Sequence, residues 1–126
     1  MKFMVPMFLA FVSLTAHAED SDLGLPSCDL KEQRAVQGET GGSIKDPLQA
    51  HISVRANVLS ADVSTARKAR RISESQANQS IQKIADVRSQ TDALVKKQGF
   101  LSAAERASFD REFDAIAKQI CKPKKS

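Results

Sequence analysis

Three helix-start signals between residues 46 and 105 limit most strongly what this chain can fold into. The first is Asp46-Pro47-Leu48-Gln49, in which an N-cap carboxylate precedes a proline at the first helical position. The other two are the capping boxes Ser73-Glu74-Ser75-Gln76 and Ser102-Ala103-Ala104-Glu105. In a capping box the serine hydroxyl accepts from a backbone N–H, and the Gln or Glu side chain binds the serine N–H. Three such signals predict three helices.

Apolar side chains follow each signal at spacings of three and four residues, which predicts helices over about 47–70, 73–97 and 102–121. The predicted core stripes are Ile52, Ala56, Leu59, Val63 and Ala66; Ala77, Ile81, Ile84, Val87, Thr91, Leu94 and Val95; and Phe109, Phe113, Ile116, Ala117 and Ile120. Gly99 is a left-handed cap for the second helix, and Phe100 is expected to fold back on Val95. No Gly or Pro separates Arg71 from Ser73, so one long kinked helix stays open as the alternative.

The first eighteen residues have the composition of a removable signal peptide. Lys2 supplies a positive start, residues 3–15 are an apolar run, and Ala16-His17-Ala18 has the small residues that signal peptidase accepts. The apolar run is shorter than the roughly 20 residues that a membrane-spanning helix needs. We therefore predict a periplasmic or secreted protein without a transmembrane segment.

Two cysteines, Cys28 and Cys121, lie near opposite ends of the remaining chain. An even pair in an exported protein predicts a disulfide, and no Cys-x-x-Cys motif points to redox catalysis. The bridge requires residues 29–45 to run the length of the helices. Seventeen extended residues span roughly 56 Å, whereas a 24-residue helix is about 36 Å long. Bridge and topology are therefore compatible.

Four regions follow from these patterns. Residues 1–18 are the predicted signal peptide, 19–45 an irregular N-terminal strap, 46–121 a helical bundle domain, and 122–126 a basic C-terminal tail. The strap is poor in large apolar residues and shows no sustained helical or strand period. It also carries five residues that favour turns, namely Gly24, Pro26, Gly38, Gly41 and Gly42. The expected fold class is all-α: a small three-helix antiparallel bundle with an irregular strap tied by one disulfide.

No constellation of residues predicts catalysis, metal binding or a cofactor. His51, early in the first helix, has no assignable Ser and Asp partners and is expected to be exposed. Asp110, Glu112 and Asp114 are interpreted as a solvated helix face, with Asp114 and Lys118 as a favourable pair at i and i+4. Metal-ligand spacings such as His-x₃-His are lacking. The sequence therefore predicts a protein that is not an enzyme.

The cluster Arg67, Lys68, Arg70 and Arg71 is the candidate anion- or partner-binding site. Cations at a helix C-terminus complement the helix dipole, so a structural role is the alternative. Lys96 and Lys97, or the tail lysines 122, 124 and 125, would extend the patch if the fold placed them nearby. Nucleic acid is not an expected partner, because Phe is the only aromatic residue type and its spacing suits the core.

These observations favour a small non-enzymatic binding protein of the bacterial envelope that engages another macromolecule, either an envelope protein or an anionic envelope polymer. A periplasmic stress chaperone or an inhibitor of a toxin or enzyme is one alternative. Another is a cell-wall hydrolase that uses a single buried glutamate, with Glu74, Glu105 and Glu112 as candidates. The polar side of the second helix is a water-facing surface or a homodimer contact, and the sequence does not separate the two.

Overall fold

The computed structural model describes residues 23–121 of the 126-residue chain. The predicted signal peptide, 1–18, and the basic tail, 122–126, lie outside the described residues. The helices are α1 (Leu30–Ala35), α2 (Pro47–Lys68), α3 (Glu74–Gln98) and α4 (Ala103–Ile120), with a 3-10 turn at Pro26–Cys28. Between residues 23 and 121 the only β pairing is an isolated bridge from Gly41 to Ile44. The predicted all-α fold class is confirmed.

All three predicted start signals begin helices. The Asp46 carboxylate accepts from Gln49 N–H at 2.8 Å and caps α2. Ser73 and Ser102 form complete capping boxes at the starts of α3 and α4, respectively. Local sequence therefore sets where each long helix begins, before any tertiary packing is considered.

The three long helices run up, down and up. Asp46 also accepts from Leu101 N–H at 3.2 Å, which places the start of α2 beside the loop that leads into α4. α2 and α4 are therefore parallel to each other, and α3 runs antiparallel to both. α2 is the central helix, because α3 and α4 both pack extensively on it and touch each other much less.

The core is formed largely by the predicted stripes. Phe113, Ile52, Ile84 and Val63 are among its most deeply buried members. Ile81 was expected in the core and is instead 40% exposed. Because α3 packs mainly on α2, its buried face is narrow. Ser80 is buried on this face, in place of its neighbour Ile81.

The disulfide between Cys28 and Cys121 is present, with the two Cα atoms 5.7 Å apart. It ties the turn at Pro26–Cys28 to the C-terminal end of α4. Next to the bridge, Ser27 N–H donates to a carboxylate oxygen of Asp62 at 2.9 Å, in a buried contact with α2. The described part of the strap therefore begins at the end of the bundle where α2 and α4 end.

The strap was predicted to be irregular, but its described part, residues 23–45, contains helix α1. Asp29 caps this helix by accepting from Glu32 N–H at 3.0 Å, and Gln33 is its buried residue. Six residues offer too few positions for a helical period to be recognised in a sequence. The strap then crosses α2 near its start, so it runs the length of the bundle as the disulfide requires.

Gly38 marks the closest approach of the strap to α2. A Cβ atom at this position would lie 2.1 Å from the Ala50 carbonyl oxygen, a backbone atom that cannot rotate away. We expect Gly38→Ala to lower the free energy of unfolding by about 1–3 kcal/mol, measured by urea denaturation. Gly41→Ala is the matched control, because a Cβ there meets nothing within 4 Å. Equal effects of the two substitutions would contradict this packing.

A left-handed residue separates α2 from α3, so the alternative of one long kinked helix is wrong. Arg70 has a φ of +60°. Its N–H donates to Arg67 O at 3.0 Å, and Arg71 N–H donates to Ala66 O at 2.9 Å. These two bonds define a Schellman ending, in which glycine usually occupies the left-handed position. Because Arg70 occupies this position instead of glycine, the sequence alone did not show that α2 and α3 are separate helices.

Gly99 ends α3 in the predicted left-handed conformation, with a φ of +88°. Its N–H donates to Val95 O at 2.7 Å, which is the single-bond αL ending. Phe100 was expected to fold back on the helix and is instead 53% exposed. A single-bond ending does not require that contact.

Candidate functional site

A network of buried charged side chains lies between α2 and α4. Its four members are His51 and Arg55 on α2 and Asp110 and Asp114 on α4, and each has at most 6% of its surface exposed. We call these four residues the charge network. Isolated buried charges are strongly unfavourable, so each must be paired and hydrogen-bonded.

His51 joins the strap to α4. Its Nδ1 lies 2.6 Å from Val36 O in the strap, and its Nε2 lies 2.8 and 3.0 Å from the two carboxylate oxygens of Asp110. Carbonyl and carboxylate oxygens only accept, so each ring nitrogen lies opposite an oxygen that can accept a hydrogen bond from it. Neither nitrogen is left to act as a base or to bind a metal.

Arg55 spans the two aspartates. One terminal nitrogen donates to Asp110 Oδ1 at 2.9 Å and to the Asp110 carbonyl at 3.2 Å, and the other donates to Asp114 Oδ1 at 3.0 Å. The guanidinium carbon also lies 5.6 Å from the centre of the Phe113 ring. A planar guanidinium suits this bridging geometry better than a lysine ammonium does.

Two further arginines, Arg34 and Arg106, lie at the edge of the charge network. Arg34, in α1, donates from Nε to Asp114 Oδ2 at 2.9 Å, and this hydrogen bond and the carboxylate charge raise its pKa. Arg106 donates to the Arg34 carbonyl, while its Nε lies 3.5 Å from Asp110 Oδ2 without hydrogen-bond geometry. The strap therefore covers the charge network and supplies hydrogen-bonding groups that contact it.

These contacts correct three predictions. His51 is 2% exposed rather than solvated. Asp110 and Asp114 are buried, whereas Glu112 lies on the exposed face as predicted. Asp114 pairs with arginines of α1 and α2 instead of Lys118.

One sequence signal could have revealed the network. His51 and Arg55 are four residues apart and adjoin core positions of α2, and Asp110 and Asp114 have the same spacing and adjoin core positions of α4. Residues four apart share a helix face. Basic side chains on one helix and carboxylates on another, at the same spacing and next to buried residues, indicate two faces that pack against each other rather than two solvated faces.

The charge network makes stability depend on pH in a defined direction. Burial favours protonated Asp110, but hydrogen bonds from His51 and Arg55, together with their charges, hold its pKa below the ordinary 3.8. Because the folded pKa lies below the unfolded one, the ionised carboxylate stabilises the fold above about pH 4. That contribution is lost as the pH falls through the folded pKa.

We therefore expect the free energy of unfolding to decrease between about pH 5 and about pH 2, measured by urea denaturation at each pH. The decrease should be shallower in Asp110→Asn, which has no carboxyl group to titrate. Glu112→Gln should retain the wild-type slope. A slope that Asp110→Asn leaves unchanged would show that this carboxyl does not contribute.

The candidate binding residues Arg67, Lys68, Arg70 and Arg71, here called the basic corner, lie at the turn from α2 to α3. Three of these side chains are exposed, and Arg71 is half-buried. None of the four forms an ion pair with any residue between 23 and 121. The fold therefore presents four cations of the candidate site together.

The structure does not bring Lys96 and Lys97 to the basic corner. They lie in the last turn of α3, and a 25-residue helix is about 37 Å long. Lys96 is also paired with Asp92 at 2.9 Å. Cys121 caps the C-terminal end of α4, at the same end of the bundle as the basic corner. The last described residue therefore lies at that end.

The three glutamates considered for a hydrolase do not have the environment that this alternative requires. Glu74 and Glu112 are exposed. Hydrogen bonds from the Ser102 backbone and hydroxyl lower the pKa of Glu105, the opposite of what a general acid needs. Over residues 23–121, no cluster of three or more His, Cys, Asp or Glu side chains could hold a metal ion. In the same range no helix is long and apolar enough to cross a membrane.

Comparison with known proteins gives no relative: no family model, curated protein or solved structure matches this chain.

Proposed function

We propose that this chain is a small exported binding protein of the bacterial envelope, without enzymatic activity, that engages another macromolecule through the basic corner. The disulfide between Cys28 and Cys121 supports a location outside the cytoplasm, where such bonds persist. The signal-peptide pattern of residues 1–18 supports the same location.

The main support for this binding site is the concentration of unpaired cations in the basic corner. Four cationic side chains fall within five consecutive residues, 67–71. None of them has an ion-pair partner among residues 23–121. Arg55 of the charge network and Arg34 at its edge, in contrast, are paired with carboxylates. Unpaired cations concentrated on one corner attract an anionic surface and raise the rate of encounter with it.

The backbone supports the same interpretation. The two hydrogen bonds of the Schellman ending hold the turn in one shape, and Ile72 is buried immediately after it. Arginine in the left-handed conformation costs on the order of 1 kcal/mol relative to glycine. Arg70 occupies this position with its side chain exposed, which favours a role for that side chain at the surface.

The experiment compares two variants of equal net charge. In the first, Arg67, Lys68, Arg70 and Arg71 are all changed to Gln. In the second, four exposed and unpaired lysines elsewhere are changed to Gln: Lys31, Lys83, Lys97 and Lys118. The mature protein and both variants are immobilised and used to capture partners from an envelope extract at several salt concentrations.

We expect the wild type and the scattered-lysine variant to retain the same partner, with retention that weakens as salt screens the charges. The basic-corner variant should lose that partner while its melting temperature stays close to the wild-type value. Retention by the basic-corner variant equal to that of the wild type would contradict the proposed site.

A further inference from the structure

A second cationic feature lies at the other end of the bundle, where the strap crosses the first turn of α2. A cleft of about 570 Å³ opens there. The wall residues that matter for its chemistry are Arg34, Val36, Pro47, Leu48, His51 and Arg106. α2 has 22 residues, so this cleft is about 33 Å from the basic corner and separate from it.

The two arginines at the cleft have unused hydrogen-bond donors. Arg34 uses Nε and one terminal nitrogen on Asp114, which leaves its other terminal nitrogen without an acceptor among residues 23–121. Arg106 uses one terminal nitrogen on the Arg34 carbonyl, which leaves its other terminal nitrogen without an acceptor among residues 23–121. Both guanidinium groups can therefore still donate to a ligand.

The charge around the cleft is positive. Three arginines, Arg34, Arg55 and Arg106, face the two carboxylates of Asp110 and Asp114. Both carboxylates are already shared among these cations and are almost fully buried. The surplus positive charge favours an anion and disfavours a neutral or cationic ligand of the same shape.

The remaining walls are apolar. Val36 lies on the strap side, and Pro47 and Leu48 lie on the side of α2. The Leu48 N–H belongs to the first turn, where backbone donors have no acceptor within the helix. The cleft thus combines guanidinium and backbone donors with an apolar surface, the usual composition of a site for a small ligand.

We propose that this cleft binds a small organic carboxylate: a carboxyl group that carries a short branched apolar substituent. The carboxylate is bound by Arg34 and Arg106, and the substituent packs on Val36, Pro47 and Leu48. A carboxyl group of this kind belongs either to a free acid or to the C-terminus of a peptide. The site is independent of the basic corner, so failure of either proposal leaves the other standing.

The test uses the mature protein with its disulfide intact and follows backbone amide signals by nuclear magnetic resonance. The probes are N-acetyl-leucine, which represents a peptide C-terminus, its neutral amide N-acetyl-leucinamide, and isovalerate, a free branched acid. We expect saturable shifts at Gln37, Gly38 and Leu48 with N-acetyl-leucine and none with the amide. Equal shifts with acid and amide, or none with either acid, would overturn the proposal.

Variants locate the site. Arg106→Gln should weaken binding of the acid by about tenfold or more, because it removes charge-assisted hydrogen bonds. Arg34→Lys keeps the charge but loses the fork geometry, and is expected to weaken binding less. Arg111→Gln, an exposed arginine of α4 away from the cleft, is the control and should bind as the wild type does.

If Arg106→Gln binds N-acetyl-leucine with wild-type affinity, the proposed site is wrong. Binding of isovalerate as strong as that of N-acetyl-leucine would support a free acid as the ligand. Binding of N-acetyl-leucine alone would support a peptide C-terminus. A melting curve for each variant confirms that any loss of binding occurs in folded protein.

Discussion

Changing Asp110 to asparagine should lower the free energy of unfolding by about 3–5 kcal/mol, the usual effect of removing one partner of a buried ion pair. Asp110 pairs with both His51 and Arg55, and these two side chains belong to residues that are each only 2% exposed. Asparagine has nearly the same shape but no charge, so the substitution leaves buried Arg55 with Asp114 as its carboxylate partner and removes the carboxylate that contacts His51. Urea denaturation at neutral pH measures the change.

The matched control for this substitution is Glu112→Gln, which removes a carboxylate two residues away on the exposed face of α4. We expect it to change the free energy of unfolding by less than about 0.5 kcal/mol. If Asp110→Asn is as mild as this control, the carboxylate does not hold the charge network together.

Removal of the disulfide should have an effect of similar size. The bridge joins residues 93 apart, and closing a loop of this length restricts the unfolded chain by about 4–5 kcal/mol. We therefore expect the double variant Cys28→Ser, Cys121→Ser to melt more than about 15 °C below the wild type. Thermal unfolding followed by circular dichroism measures the shift.

Reduction of the wild-type protein provides the control for this variant. The reduced protein should melt near the double variant, because both lack the same covalent link. The double variant should also show no further change when reductant is added. A melting temperature that neither reduction nor the double substitution lowers would show that the bridge does not stabilise the fold.

The long helices could be predicted because their signals are local. A capping residue and the side chain three positions later act within one turn, so Ser73 and Ser102 mark helix starts in any tertiary context. The same holds for Gly99, whose backbone adopts the left-handed conformation that few other residues accept. The disulfide was predicted from the number and placement of the cysteines, together with the predicted export signal.

The charge network could not be predicted in the same way, because its partners are far apart in the sequence. His51 and Asp110 are separated by 59 residues, and Arg34 and Asp114 by 80. Taken singly, a charged residue on an amphipathic helix is usually solvated. Burial of these residues depends on the strap, whose path α1 and Gly38 determine through contacts that no local pattern reports.

The cleft was missed for the same reason. Arg34 and Arg106 lie 72 residues apart and come together only because the strap returns along α2 and α4. The basic corner, in contrast, is contiguous in the sequence, so its residues could be named as a candidate site before the fold was known.

Hydrogen exchange of the strap tests the central claim of this account most directly, namely that the disulfide and the charge network hold the strap against the bundle. Mass spectrometry of the oxidised protein at neutral pH would follow a peptide that covers residues 29–38. We expect its amides to exchange on the order of a hundred times more slowly than those of an unfolded chain, and faster in Asp110→Asn. Exchange of this peptide at the unfolded rate, while α2 and α4 stay protected, would contradict the account.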